Sequence, residues 1–230
     1  MASTRNILLT LMVLIGTIVF FHFSGLDIWI QNHFYDRATC TWLVDRDNKL
    51  LDLLFYSGLK KLLIVIYSIL LLLLIFANRL SWIRKHRKGL WILVLSAMLV
   101  PGATIFLKNT TNTPCPKNLK FYGQNYPTVD VLDTYPKSFC QHGKIKCWPA
   151  GHASFGFSLM ALVFLVRSRR KKMAVFAFAM VVAWSMGTYK MLIGDHFFSH
   201  TLISMILGWL VILLIVRSVD TVSSHPRFNS

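Results

Sequence analysis

The run "LLIVIYSILLLLLIFA", residues 62–77, carries no charged side chain. As a helix it would be about 24 Å long at 1.5 Å per residue, close to the roughly 30 Å of a bilayer's hydrocarbon core. It is apolar on every face, whereas a helix on the surface of a soluble domain buries only a stripe. Comparable runs lie at Ile7–Phe23, Leu90–Leu107, Ala150–Val166, Met173–Tyr189 and Thr201–Val216. The chain of 230 residues is 55% hydrophobic and only 15% charged, with a mean hydropathy of +0.54. An all-α polytopic membrane protein follows: one domain, 1–230, of six transmembrane helices in a bundle. Pro101-Gly102 interrupts the third run, which neighbouring helices can accommodate. The first run has no small-x-small cleavage site after it and reads as a retained anchor.

Loop charge sets the orientation. Arg79, Arg84, Lys85, Arg87 and Lys88 lie between the second and third runs, and Arg167, Arg169, Arg170, Lys171 and Lys172 between the fourth and fifth, with no acid among them. These loops and both termini are expected on the cytoplasmic side of a bacterial inner membrane. The outer-side loops are then 24–59 and 108–149. The second is itself basic, with six Lys against two Asp, which a topology signal does not explain and an anionic ligand would. The net charge of +16 sits in short loops, so nucleic acid is excluded as a partner. The segment "GLDIWIQNHFYD", residues 25–36, mixes apolar and polar positions and reads as an interfacial helix.

All nine acidic residues are Asp, so any catalytic carboxylate is an Asp, and His is the more available acid–base group. Cys40, Cys115, Cys140 and Cys147 all fall in outer loops. An even count in an oxidising compartment favours disulfides, and four cysteines allow three pairings. Cys140–Cys147 closes a small loop and is the favoured pair; four free thiols are the alternative, and the spacings are not those of a zinc site.

Three segments converge on the outer face: "KNTTNTPCP" (108–116), "PAGH" (149–152) and "YKMLIGDHFFSH" (189–200). Lysines supply charge, a helix start supplies N–H groups, and two histidines supply a nucleophile and an acid, which together make a phosphate site. Asp195 reads as an exposed turn residue. His22, His33 and His142 read as non-catalytic.

These segments resemble the type 2 phosphatidic acid phosphatase superfamily, whose pattern is Lys-x6-Arg-Pro, then Pro-Ser-Gly-His, then Ser-Arg-x5-His-x3-Asp. Lys108, Pro116, Pro149, Gly151, His152 and His196 fall in register, and "LDIWIQNHFYD" and "GDHFFSH" are similar to segments of bacterial lipid A phosphatase-like members. Cys115 stands in place of the first Arg, Ala150 of the Ser, Tyr189-Lys190 of Ser-Arg, and His200 of the final Asp. The resemblance implies a six-helix lipid phosphatase that uses no cofactor or metal. His196 would form a phosphohistidine and His152 would act as general acid. Lys108, Lys190 and the Gly151 N–H would hold phosphoryl oxygens, and His200 would accept the Nδ1 proton of His196. The implied partners are the bilayer and a phospholipid or glycolipid phosphate: lipid A-like, undecaprenyl diphosphate or phosphatidylglycerol phosphate. A lipid phosphotransferase, an inactive lipid-binding or transport protein on the same scaffold, and a metalloenzyme built on the i, i+4 pair His196 and His200 are the competing readings. Oligomeric state stays open.

The loop charges predict that a reporter fused after Lys88 behaves as cytoplasmic and one fused near Asn125 as periplasmic. The reverse pattern would place the histidines on the inner side.

Overall fold

The computed structural model describes residues 2–77, 80–141 and 143–224. Arg79 of the first basic loop and His142 lie outside the described residues. Helix α1 (Thr4–Ser24) starts on Ser3, whose side chain accepts from the Asn6 N–H, and stops at Gly25 with φ 62°. The interfacial segment is helical as expected over α2 (Leu26–Asn32), followed by a hairpin of β1 (Tyr35–Asp36) and β2 (Thr41–Trp42) that pairs Tyr35 with Trp42. Helix α3 (Lys49–Asp52), a π-helical turn (Leu53–Ser57) and α4 (Gly58–Phe76) run on as a single 28-residue span. Helix α5 (Ser81–Thr110) passes unbroken through Pro101. After a long loop come α6 (Gly151–Phe157), continued as a 3-10 helix (Ser158–Phe164), then α7 (Arg169–Leu192) and α8 (Phe198–Ser224).

Five of these helices are long and apolar enough to cross a membrane. The fourth expected span, 150–166, is shorter, with seven α-helical and seven 3-10 residues, about 25 Å in all. It contacts α5, α7 and α8, and a helix enclosed by protein can carry hydroxyls that lipid would penalise. Ser154 donates to the Gly151 carbonyl at 2.7 Å, and Ser158 shares a 3.0 Å hydrogen bond with Tyr67 of α4. Close approach of α6 to α7 needs Gly156, because a Cβ there would come within 2.8 Å of the Ala183 Cα. Small residues at such crossings let helix backbones meet in a bilayer, where van der Waals packing drives association. The spans of α1 and the α3–α4 unit are only 11% and 17% buried, against 44% and 50% for α5 and α8. The last two form the centre of the bundle and the first two its lipid-facing rim.

Helices α5 and α7 both begin in the basic segments and carry Lys108 and Lys190 in their last turns. The basic clusters and the candidate site therefore occupy opposite ends of the bundle. At the site end, α2 lies across the α7–α8 connection. Gln31 Nε2 donates to the Met191 carbonyl at 2.9 Å, and Asp27 Oδ1 accepts from the Ser199 N–H at 2.9 Å. One short helix thus satisfies a carbonyl at the end of α7 and an N–H at the start of α8, groups that helix ends leave unpaired. His22 of α1 lies against the 108–149 loop, its Nδ1 3.5 Å from Asp130 Oδ2.

Burial pushes the Asp27 carboxyl up to about 6, against the opposing pull of its hydrogen bonds to Ser199. A raised carboxyl favours the neutral form in the folded protein, so this stabilisation is present at low pH and is lost as pH rises through 6. Asp27→Asn keeps the acceptor without the charge. Its melting temperature in detergent should gain on wild type as pH is raised from 4 to 7. A difference that stays flat across that range would refute the burial argument. Asp27→Ala, which loses the cap, should be less stable by about 1 kcal/mol.

Candidate active site

The connection from α7 to α8 is a helix C-terminal turn with Gly194 at φ 72°. The Asp195 and His196 N–H groups both return to the Lys190 carbonyl, at 2.8 and 3.3 Å. Helices commonly end in this way, with a left-handed glycine closing the last turn. A Cβ at position 194 would strike the Trp42 ring, so the hairpin packs directly on the turn. Trp42, Tyr35 and Tyr122 pack edge-on or tilted at 4.9–5.1 Å between centroids and cluster with Leu119 and Phe197.

His196 is 2% exposed, and its Nε2 has no hydrogen-bond partner among the described residues. Its ring centroid is 5.5 Å from that of His152, in the first turn of α6, and 5.8 Å from that of His200, in the first turn of α8. Burial comes first in holding the His196 imidazole well below its usual range, followed by the charges of His200, His152, Lys108 and Lys190. The ring is therefore neutral at pH 7. The expected hydrogen bond from His196 Nδ1 to His200 is not formed: Nδ1 instead faces Cys147 Sγ at 3.5 Å. The reason is that α8 begins only at Phe198, so His196 precedes the helical register that would align the two rings. A side chain at Gly151 would meet nothing within 4 Å, which leaves open space beside the histidines.

Four residues that the motifs did not indicate join this group. Tyr56, in the π-helical turn, hydrogen-bonds His152 Nδ1 through its hydroxyl at 2.7 Å. The Lys190 ammonium lies 4.1 Å from the Tyr56 ring centroid, a cation–π distance. Asp195 is not an exposed turn residue. Its Oδ1 accepts from Arg46 Nη2 and Lys117 Nζ, each at 2.8 Å, and its Oδ2 lies 3.4 Å from Lys190 Nζ. Burial works to raise the Asp195 carboxyl, but the Lys117 hydrogen bond and the charges of Lys117, Arg46 and Lys190 prevail and hold it below the usual range. Lys108 acts on the same cluster through space, its charge felt by Asp195 and His152.

A family model described as the PAP2 superfamily matches residues 89–224, well over half of the chain. The chain belongs to the PAP2 superfamily. It is also 27% identical to a lipid A 4'-phosphatase of Francisella tularensis subsp. novicida (strain U112) over 229 residues, which cover 96% of this chain and all of that protein. No solved structure matches it. The PAP2 match contains Lys108, His152, Lys190, His196 and His200. Tyr56, Arg46, Asp27 and Gln31 all precede it, which is why the family pattern gives no sign of them.

The Arg position of the first PAP2 motif holds Cys115, and the structure gives that cysteine a purpose. It forms a disulfide with Cys147, while Cys40 and Cys140 are free and exposed. This replaces the favoured Cys140–Cys147 pairing. The backbone explains it: Cys147 N–H donates to the Thr113 carbonyl at 3.0 Å and Ile145 N–H to Asn112 Oδ1 at 3.0 Å, which sets Cys147 against the segment that leads into Cys115. The disulfide also bears on the metal reading. Ligand atoms of Cys147, His196 and His200 lie within 4.8 Å of one another, but the sulfur is already bonded to Cys115 and offers no thiolate, the form that ligates zinc.

Alkylation followed by non-reducing mass spectrometry should find Cys115 linked to Cys147, with Cys40 and Cys140 labelled. Cys115→Ala should lower stability by about 4 kcal/mol, the worth of closing a loop of this size. Labelling of all four thiols in the untreated protein would contradict the assignment.

Proposed function

We propose that the protein is an integral membrane lipid phosphatase that removes phosphate from an anionic lipid through a phosphohistidine on His196. The observation that carries this reading is the buried, neutral and unpartnered Nε2 of His196, on a ring whose centroid lies 5.5 Å from that of His152 and which feels the charge of Lys190. A nucleophile needs a free lone pair, and elsewhere in proteins a buried polar atom is nearly always hydrogen-bonded. In the first half-reaction His196 Nε2 bonds to phosphorus as the bond from phosphorus to the lipid oxygen breaks, and His152 gives its proton to that oxygen. The charge of the incoming phosphate favours the protonated form of His152. Tyr56 fixes the His152 ring through Nδ1, so that Nε2 is the nitrogen that exchanges the proton. In the second half, water attacks phosphorus, His152 takes back a proton, and inorganic phosphate leaves. Lys108 and Lys190 stabilise the charge on the non-bridging oxygens, and the Gly151 N–H, at the start of α6, is assigned to the same oxygens. His200 packs against the His196 ring and fixes its plane.

The relative named as a lipid A 4'-phosphatase, which is matched over 96% of this chain, supports the choice of substrate class. A phosphorylated glycolipid of lipid A type is the leading candidate, ahead of undecaprenyl diphosphate and phosphatidylglycerol phosphate. Loop charge favours an active site on the periplasmic face of the inner membrane. A lipid alcohol taking the place of water in the second half-reaction would make the same site a phosphotransferase.

Phosphate release from a panel of lipid phosphates in detergent tests the reading, with inhibition by orthovanadate and resistance to EDTA as the expected signature. His196→Ala should abolish both turnover and the acid-labile phosphoenzyme. His152→Ala should lose about 10²–10⁴-fold on an alkyl phosphate and much less on an activated aryl phosphate, whose leaving group needs no proton. Equal losses on both leaving groups, or label trapped on another residue, would refute these roles.

A further inference from the structure

The PAP2 pattern expects two guanidinium groups at the phosphate, and this chain has Cys115 and Lys190 at those positions. We propose that Arg46 and Lys117, both outside the motif positions, are the replacement phosphate ligands, held ready beside the nucleophile by Asp195. The proposal rests on the phosphatase reading above and adds to it a loop that the family match does not cover.

The geometry is that of an anion cradle with one small anion already in it. Three cationic nitrogens contact the two oxygens of one carboxylate at 2.8, 2.8 and 3.4 Å, and that carboxylate belongs to the residue immediately before His196. Three positive charges against one negative leave an excess of two. A phosphate monoester carries close to two negative charges at pH 7, so a bound phosphate brings the contact group to neutrality while Asp195 stays in place. The donors suffice for both anions. Arg46 uses only Nη2, shared between Asp195 Oδ1 and the Ile193 carbonyl at 3.0 Å, which leaves Nη1 and Nε without a protein acceptor among the described residues. Lys117 has three N–H groups, of which Asp195 takes one. Both side chains are reachable from solvent, at 44% and 32% exposed, whereas Lys190 is at 9%. Arg46 thus restores the planar fork that binds phosphate oxygens in pairs, which Lys190 as a point charge does not offer.

The alternative is that Arg46 only neutralises Asp195 and pins the 24–59 loop to the turn. The two roles separate in a competition measurement on the full-length protein in detergent, with inorganic phosphate and orthovanadate as probes. Arg46→Ala and Lys117→Ala should each weaken inhibition by either anion about 10- to 100-fold, the worth of a hydrogen bond to a charged group. Arg46→Lys should fall between Arg46→Ala and wild type. Arg37→Ala removes a cation of the same loop that stacks on Phe121 and should change inhibition by less than about twofold. The double variant Arg46→Ala/Asp195→Asn decides the matter. If Arg46 merely neutralises Asp195, removing both charges restores anion affinity; if it binds phosphate, the loss persists. Restored affinity in the double variant, or unchanged inhibition in Arg46→Ala, overturns the proposal and leaves the phosphatase reading standing. If the wild type releases phosphate from no lipid, that reading falls, and thermal shift with inorganic phosphate still measures whether Arg46 and Lys117 hold the anion.

Discussion

A fully buried imidazole with an unbonded nitrogen is costly to maintain, and the five residues of the α7–α8 connection maintain one. Leaving a buried polar atom unpaired costs about 1–3 kcal/mol. Three carbonyls in and beside the turn are tied to other parts of the chain. The Ile193 carbonyl takes Arg46, the Gly194 carbonyl takes the Lys117 N–H at 3.0 Å, and the His200 carbonyl takes the Ala150 N–H at 3.2 Å. Asp27 and Gln31 close the flanking helix ends. The loops at this end supply the partners of the turn. Part of their basic character serves it directly, since Arg46 and Lys117 both pair with Asp195.

The same reasoning explains the contrast between the two ends of the bundle. At the end carrying Arg84–Lys88 and Arg169–Lys172, the cationic side chains are mostly exposed, as the expected role of such loops in orientation requires. At the other end the cations converge on one carboxylate, and Lys190 is buried under Tyr56. Equal charge, read as composition, serves two unrelated purposes. Only its convergence in space tells them apart.

The helical spans are legible because lipid imposes a coarse, local rule: long apolar runs without charge. Lys108, His152, Lys190 and His196 are legible because helix ends and fixed spacings carry them to one face. The 14 residues of the fourth helix (seven α-helical and seven 3-10) read as a full span, since sequence hydropathy does not distinguish lipid from surrounding protein. The cysteine pairing departs from expectation for a related reason. Short sequence separation favours Cys140–Cys147, whereas hydrogen bonds from 145 and 147 back to 112 and 113 decide the outcome. Tyr56 and Arg46 give no signal, because a single tyrosine in an apolar helix and a single arginine in a loop have no pattern to match. Asp195 reads as a surface residue because turns usually are; in this chain the loops fold over it.

The boundary of the family match at residue 89 separates two sets of residues around the candidate site. After it lie Lys108, His152, Lys190 and His196; before it lie Asp27, Gln31, Arg46 and Tyr56, which hydrogen-bond the α7–α8 connection, the helix ends that flank it, Asp195 and His152. Such a division lets the two parts vary at different rates. In this chain the Arg position of the first motif is taken by a covalent anchor, the Cys115–Cys147 disulfide, and a guanidinium from the preceding segment, Arg46, reaches Asp195. Two members of the superfamily with identical motifs need not have equivalent active sites, and two with different motifs need not have different ones.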